Sequence, residues 1–239
     1  MAGRIQLQQT EVWMVRLNAP EGRQAQILRM LDMDERQRAA RFLFPSVAGE
    51  FIQAHAALRL LLARQVGQRP KELCIKADAQ GKPFLPGEPE LSFNLSHTQG
   101  CAGIVLAIGH PVGVDIEKLH ALSDLEGLIE RVCTTGERQE LLRIPHEKRE
   151  GFFFQLWTRK EALLKALGSG LRFDPRRVEV GIAEERQVDL SGTPGGSRAW
   201  YVLSLTAESG YAAAAAYGGA RGEVVVHPTL DLRDLIEAG

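Results

Sequence analysis

Three short segments bring together side chains capable of chemistry. In Gly113-Val114-Asp115-Ile116-Glu117, residues two apart on a strand point to one face. Asp115 and Glu117 therefore converge, while Val114 and Ile116 anchor the opposite face in a core. Paired carboxylates are hard oxygen ligands of the kind Mg²⁺ accepts, one or two at a time, alongside phosphate oxygens and water. Alone, the pair reads more simply as a solvated strand end. In Trp157–Lys165 (WTRKEALLK), Trp157, Glu161 and Lys165 fall at i, i+4 and i+8 and share a helical stripe. The plain alternative is a core tryptophan beside a surface Glu–Lys pair worth only ~0.3–0.5 kcal/mol. Yet Phe152, Phe153 and Phe154 precede the stripe and Leu163-Leu164 sit within it, so the helix is largely buried. Charges near a buried helix need partners, and a metal ion held by Glu161 would supply one. In Ser92–Thr98 (SFNLSHT), alternation puts Asn94 and Ser96 on one face, Phe93 and Leu95 on the other, and His97 at the turn. A hydroxyl, an imidazole and turn amides at a strand end can hold phosphate, although a lone turn histidine is commonly just a surface residue.

The elements that must position these groups follow from pattern and punctuation. Val12–Leu17 reads as a strand, and Glu21–Leu43 as a polar helix broken by Pro45. Phe51–Val66 has the 3.6 period of a buried helix, stopped by Gly67. Glu72–Asp78 is β-like, and Gly81–Glu90, with three prolines, is irregular. SFNLSHT and Cys101–Gly109 form a strand–turn–strand pair, and a further strand begins at Val112. Ser123–Cys133 is a capped helix, Thr135-Gly136-Glu137 opens another, and Phe152–Leu167 is a long apolar one closed by Gly168 and Gly170. Arg176–Ile182 and Ala199–Ala207 read as strands on either side of the turn-rich Ser191–Ser197.

The halves echo each other. Aligning Gly67 with Gly168 pairs Phe51 with Phe152, Arg59 with Lys160, Leu62 with Leu163 and Arg64 with Lys165. Leu95–Gly109 likewise matches Leu205–Gly219. That match makes the alanine-rich Tyr211–Gly218 a strand, against its helical composition. An internal duplication predicts a pseudo-twofold pair of α+β subdomains, residues 1–110 and 111–239, with a ligand cleft between them. The tail from Glu223 is amphipathic and is expected to pack back on the body.

Composition bounds the rest. In 239 residues, Lys+Arg 29 against Asp+Glu 30 leaves a net charge of -1, which excludes a histone-like nucleic-acid coat. With 44% hydrophobic residues the chain is no disordered polymer. No apolar run approaches the ~20 residues of a membrane span, and the first residues carry no signal-peptide pattern. Cys74, Cys101 and Cys133 lie far apart with no CxxC, which predicts reduced thiols in a cytoplasmic protein. The stretch up to Gly109 is net basic and the remainder net acidic, so the neutral total is compatible with a phosphate-rich ligand held between the halves.

SFNLSHT, then GVDIEK, then WTRKEALLKALGSGL resemble, in order and spacing, the 4′-phosphopantetheinyl transferases of the Sfp type. The resemblance runs roughly from Glu35 to Leu171, and Gly81-Lys82-Pro83 matches a further family element. It implies a monomeric pseudo-dimer of two α+β halves with the active site in the cleft. The implied donor is coenzyme A. The implied acceptor is a serine of an apo acyl or peptidyl carrier protein of fatty-acid, polyketide or nonribosomal-peptide synthesis, and 3′,5′-ADP leaves. Asp115, Glu117 and Glu161 match the family's Mg²⁺-binding carboxylates. Ser96, His97 and Lys82 match coenzyme A contacts, and Lys165 matches the lysine beside the pyrophosphate. Arg59, with Arg38 and Arg41, sits where relatives place basic residues for the 3′-phosphate. Lys160, the echo of Arg59, is counted among the coenzyme A contacts. Glu161 and Lys165 are both candidates to receive the serine proton. Two features depart from the pattern: Pro45–Glu50 lacks the basic residue common in relatives, and His55 stands where some carry arginine. Two other readings are a non-catalytic coenzyme A- or nucleotide-binding module of the same fold, and an unrelated α+β interaction protein.

Overall fold

The computed structural model describes residues 9–168, 173–183, 185–191 and 196–238. Gly170, Leu171 and most of the 191–197 turn lie outside them.

Strand β1 (Thr10–Arg16) alternates, turning Val12 and Met14 to one core and Trp13 and Val15 to another. The polar helix expected over Glu21–Leu43 is divided into α1 (Gln24–Met30) and α2 (Met33–Ala39). Leu31 is extended, and Asp32 starts α2 with a capping box: Asp32 Oδ1 accepts from Glu35 N at 2.9 Å, and Glu35 Oε2 from Asp32 N at 3.0 Å. Pro45 opens α3 (Pro45–Val66) rather than ending a helix. At the first helical position its missing N–H is no loss and its fixed φ suits the helix. Gly67 ends α3 in the left-handed region, φ 68°.

A 3₁₀ turn (Pro70–Glu72) and the small hairpin of β2 (Lys76–Ala77) and β3 (Pro83–Phe84) lead to β4 (Leu91–Thr98), β5 (Cys101–Ile108) and β6 (Val112–Lys118). Helices α4 (Leu125–Val132), α5 (Thr135–Arg143) and α6 (His146–Leu167) follow. After a second 3₁₀ turn (Pro175–Arg177) come β7 (Glu185–Val188), β8 (Trp200–Leu205) and β9 (Tyr211–Gly218). The strand expected over Arg176–Ile182 is absent. Its backbone groups are taken by side chains instead of a ladder: Glu137 Oε1 accepts from Val180 N at 2.9 Å, and Lys160 Nζ donates to Val178 O at 2.5 Å. The alanine-rich β9 is a strand because it is paired on both edges, with β6 and β8.

Among the described residues, besides the β2–β3 hairpin, two larger sheets form: β10 (Val224–Val226)-β1-β5-β4, with β11 (Leu230–Asp231) also on β1, and β6-β9-β8-β7. The runs β1-β5-β4 and β6-β9-β8 have the same order, with α3 and α6 as the matching helices. Leu60, Phe93, Ile104 and Leu106 lie in the core between α3 and the first sheet, and Leu156, Leu163, Val202 and Ala214 in that between α6 and the second. The opposite faces meet in a third core containing Met14, Val105, Val114, Ile116, Tyr201 and Ala215. The edge strands β4 and β6 adjoin, and Asn94 Oδ1 accepts from Val114 N at 3.0 Å across that seam.

The tail packs back, and on the first half. β10 (Val224–Val226) and β11 (Leu230–Asp231) both pair parallel with β1, and α7 (Leu232–Glu237) adds Leu232, Leu235 and Ile236 to the core under α3. Among the described residues, no helix is long and apolar enough to cross a membrane.

Candidate active site

At the seam, strand alternation turns Asp115 and Glu117 away from the inter-sheet core and toward α6. Gly113, two residues earlier, lies against the α6 backbone. A Cβ there would be 2.2 Å from Ala162 O and 2.5 Å from Ala166 N. That close approach sets the height of the helix segment bearing Glu161 and Lys165 above β6.

Three elements then meet at one point. Lys165 Nζ donates to Asp115 Oδ1 at 2.6 Å and to Ser96 Oγ of β4 at 2.8 Å, while Ser96 Oγ donates to the same carboxylate oxygen at 2.9 Å. Asp115 is 3% exposed, and its Oδ2 is buried with no hydrogen-bond partner. Glu117 accepts from Trp157 Nε1 at 3.3 Å. Burial first, and the negative charge of Asp115 second, push the carboxyls of both Glu117 and Glu161 up. An orphaned carboxylate oxygen beside two carboxyls that repel it fits a hard cation. Among the described residues no three His, Cys, Asp or Glu side chains converge as a ready-made metal cage. A cation held at Asp115 Oδ2 would take few protein ligands and complete its shell with phosphate and water oxygens.

Basic groups flank this wall. His97 is pushed down to about 4 by burial and by the neighbouring His55, Lys165 and Arg38 charges. Lys82 reaches from the β2–β3 hairpin to Ala166 O at 2.8 Å and is pushed down to about 8, by burial above all, with Arg198 adding to it and Asp78 opposing. Arg38, exposed, lies over the Phe51 ring at 5.2 Å, and the Phe51 and His97 rings meet edge-on at 6.3 Å. Arg41 is exposed just beyond the end of α2. Burial is the main cause of the His97 and Lys82 shifts, and beside His97 the cationic Lys165 and Arg38 make a setting for an anion. Beyond Lys82 the seam continues into a cavity lined by Ser92, His110, Leu167, Phe173, Arg198 and Trp200.

Two residues expected at the ligand are elsewhere. Arg59 is fully buried: Nε donates to Glu35 Oε2 at 2.6 Å, NH1 to Pro70 O at 2.8 Å and Leu73 O at 3.1 Å, and NH2 to Asp32. Lys160 is 2% exposed, and its three donors go to Glu137 at 2.8 Å, Pro175 O at 2.8 Å and Val178 O at 2.5 Å. Neither can meet a phosphate, because every short contact is spent on the protein interior. The two sites correspond: each cation binds the Glu of a capping box on the preceding helix (Asp32/Glu35, Thr134/Glu137) and two carbonyls at a 3₁₀ turn. The spacings D-x-x-E and T-x-x-E, visible in the sequence, mark these carboxylates. Asn94 and Gly113 are further contributors to the seam, and only the turn of β4 toward β6 reveals them.

Residues 111–216 match the family described as the 4'-phosphopantetheinyl transferase superfamily, and residues 19–108 match one described as 4'-phosphopantetheinyl transferase, N-terminal. The chain is 32% identical over 214 residues to the 4'-phosphopantetheinyl transferase HetI of Nostoc sp., covering 88% of each. It is 30% identical over 166 residues to the 4'-phosphopantetheinyl transferase psf-1 of Bacillus pumilus, covering 69% of this chain and 70% of that one. Against the 4'-phosphopantetheinyl transferase Sfp of Bacillus subtilis the figures are 26% over 178 residues, 74% of this chain and 78% of the relative.

Proposed function

The chain belongs to the 4′-phosphopantetheinyl transferase superfamily, and from that premise we propose how its own residues carry the reaction. It transfers phosphopantetheine from coenzyme A to a carrier protein. The new bond joins the carrier serine oxygen to the β-phosphorus of coenzyme A, the bond from that phosphorus to the bridging oxygen breaks, and 3′,5′-ADP departs. Such a transfer leaves little covalent work to the protein, so positioning and charge stabilisation dominate.

The carrying observation is the convergence of Ser96 from the first half with Asp115 and Lys165 from the second, beside an unfilled carboxylate oxygen. Lys165 aims a positive charge at the pyrophosphate oxygens while Asp115 and Ser96 hold its ammonium in place. His97 and Lys82 contact the phosphates from the first half, and Arg38 with Arg41 the 3′-phosphate. Glu161, its carboxyl raised by burial and by Asp115, is suited to accept the serine proton. Asp115, Glu117 and Glu161 line the wall at which Mg²⁺ would be held, with Asp115 Oδ2 the buried oxygen left without a hydrogen bond. When bound, that ion neutralises pyrophosphate charge that three carboxylates would otherwise repel. The domain roles follow: residues 1–110 bind the coenzyme A phosphates, and residues 111–239, whose tail packs back on the first half, carry the metal wall. The protein acts as a cytoplasmic monomer, with no nucleic acid or membrane partner.

Incubation with coenzyme A, Mg²⁺ and an apo carrier protein adds one phosphopantetheine to the carrier, read by intact-protein mass. No mass gain on several unrelated carriers would overturn the reading. Glu161→Gln abolishes the gain while coenzyme A still binds.

A further inference from the structure

α2 is only seven residues long. An isolated helix of that length does not hold itself together in water, so its placement is decided by what pins it. Its polar start is pinned from α3. Arg59 bonds Asp32 and Glu35, the two members of the α2 capping box, and ties them to the carbonyls of Pro70 and Leu73. Glu35 makes a second connection: its Oε1 meets His55 Nδ1 at 2.9 Å. The His55 ring packs on Phe51 at 4.0 Å, and Phe51 lies under Arg38 at 5.2 Å. A closed circuit thus runs from Arg59 through Glu35 and His55 to Phe51 and back to α2 at Arg38. Arg41 is carried along, since its N–H donates to Arg38 O at 3.1 Å.

We propose that Arg59 is a positioning residue: through Glu35 it fixes α2 so that Arg38 and Arg41 face the 3′-phosphate, and it thereby sets the preference for coenzyme A over 3′-dephospho-coenzyme A. The inference rests on the proposed function, in which coenzyme A is the donor and Arg38 and Arg41 take its 3′-phosphate. Arg59 itself never touches the ligand. Its guanidinium is planar, with donors fixed in a fork that spans two carboxylates and two carbonyls, and an ammonium cannot reproduce that reach. The matching cation in the second half, Lys160, clamps Glu137 on α5 and the Pro175–Val178 segment. Those elements carry none of the basic residues at the phosphate corner. One device, present twice, thus serves ligand choice in one half only.

The test compares Arg59→Lys, Glu35→Gln and Glu137→Gln with the wild type. Glutamine keeps the capping hydrogen bond and removes the charge that holds Arg59. Each protein is titrated calorimetrically with coenzyme A and with 3′-dephospho-coenzyme A, and kcat and KM for transfer are measured with both donors. The wild type binds coenzyme A more tightly. In Arg59→Lys and Glu35→Gln that preference falls by about tenfold, the scale of one lost charge-assisted contact. Affinity for the dephospho compound and kcat at saturation stay within about twofold. Glu137→Gln lowers the melting temperature and leaves the preference intact. Should Arg59→Lys not fold, Glu35→Gln decides alone. An unchanged preference, an equal loss for both donors, or the same loss in Glu137→Gln overturns the proposal, as does a wild type that does not discriminate. A wild type that binds coenzyme A selectively but never modifies a carrier refutes the transfer reading and leaves this one standing.

Discussion

Replacing Gly113 by alanine tests whether the spacing between β6 and α6 governs catalysis. The added Cβ would stand 2.2 Å from Ala162 O, 2.5 Å from Ala166 N and 3.1 Å from Ala166 Cα. All three are backbone atoms of a helix, so no side chain can swing aside. α6 must withdraw from the strand by roughly 1 Å to restore ordinary contact, an overpacking that costs about 1–3 kcal/mol. For a chain of this size that lowers Tm by about 3–10 °C. The displaced turn is the one that carries Glu161 and Lys165. A shift of that size breaks the 2.6 Å Lys165–Asp115 and 2.8 Å Lys165–Ser96 contacts, and misplacement on the order of 1 Å costs about a hundredfold in rate. The assay is kcat for carrier modification at saturating coenzyme A, with a melting curve on the same sample. Gly103→Ala is the control. Its Cβ would meet the Val114 Cγ2 methyl at 3.0 Å and the Met14 methyl at 3.4 Å, side-chain atoms that can yield, and kcat should stay within about threefold of wild type. If Gly113→Ala keeps wild-type kcat, or loses stability without losing rate, the spacing does not control the site.

Acidity bears on His97, whose folded value of about 4 lies below its ordinary 6.5. Between those values the unfolded chain takes a proton that the folded one refuses. Stability should therefore fall as pH drops through that window, by roughly 2 kcal/mol after allowance for partial solvent access, and His97→Gln should flatten the curve. Denaturant titrations at several pH values read the slope, and equal slopes would discount the imidazole. Lys82 behaves in the alkaline range: the folded protein loses its proton at about 8 while the unfolded chain keeps it to 10.5. Stability should rise across that interval, whereas coenzyme A affinity should weaken above about pH 8, a step that Lys82→Met would remove from the KM profile. Lys160→Met strands the fully buried Glu137 without a counter-charge, which should cost about 3–5 kcal/mol. Adding Glu137→Gln should recover part of the loss in Tm, and no recovery would mean that the pair is not the cause.

Much of this was legible in the chain because it rests on local periodicity. The facing of Asp115 and Glu117, the i, i+4, i+8 stripe of α6 and the strand character of the alanine run all follow from periods of 2 or 3.6 and from the repeat marked by Gly67 and Gly168. What escaped depends on which distant group a side chain meets. A helical arginine such as Arg59 reads equally as a phosphate ligand or an interior strut. Its direction is decided by Glu35, 24 positions earlier, and by carbonyls presented only once the Pro70 turn has formed. Arg176–Ile182 had the hydrophobicity of a strand but lost its ladder to Glu137 and Lys160, side chains far away in sequence. Gly113 carried no signal in its neighbours, since its role is the nearness of another backbone.

The return of the tail to β1 affects the order in which the molecule can be completed. Chains emerge from their N-terminus, yet β1 gains its outer neighbours only from Val224–Val226 and Leu230–Asp231, and the core beneath α3 only then receives Leu232, Leu235 and Ile236. Until those residues arrive, the first half has an open sheet edge and an unfilled core, the state most prone to strand-to-strand association. The half made first is thus the half finished last. The first subdomain is completed only by residues that follow the second in the chain, despite the repeat from which both are built.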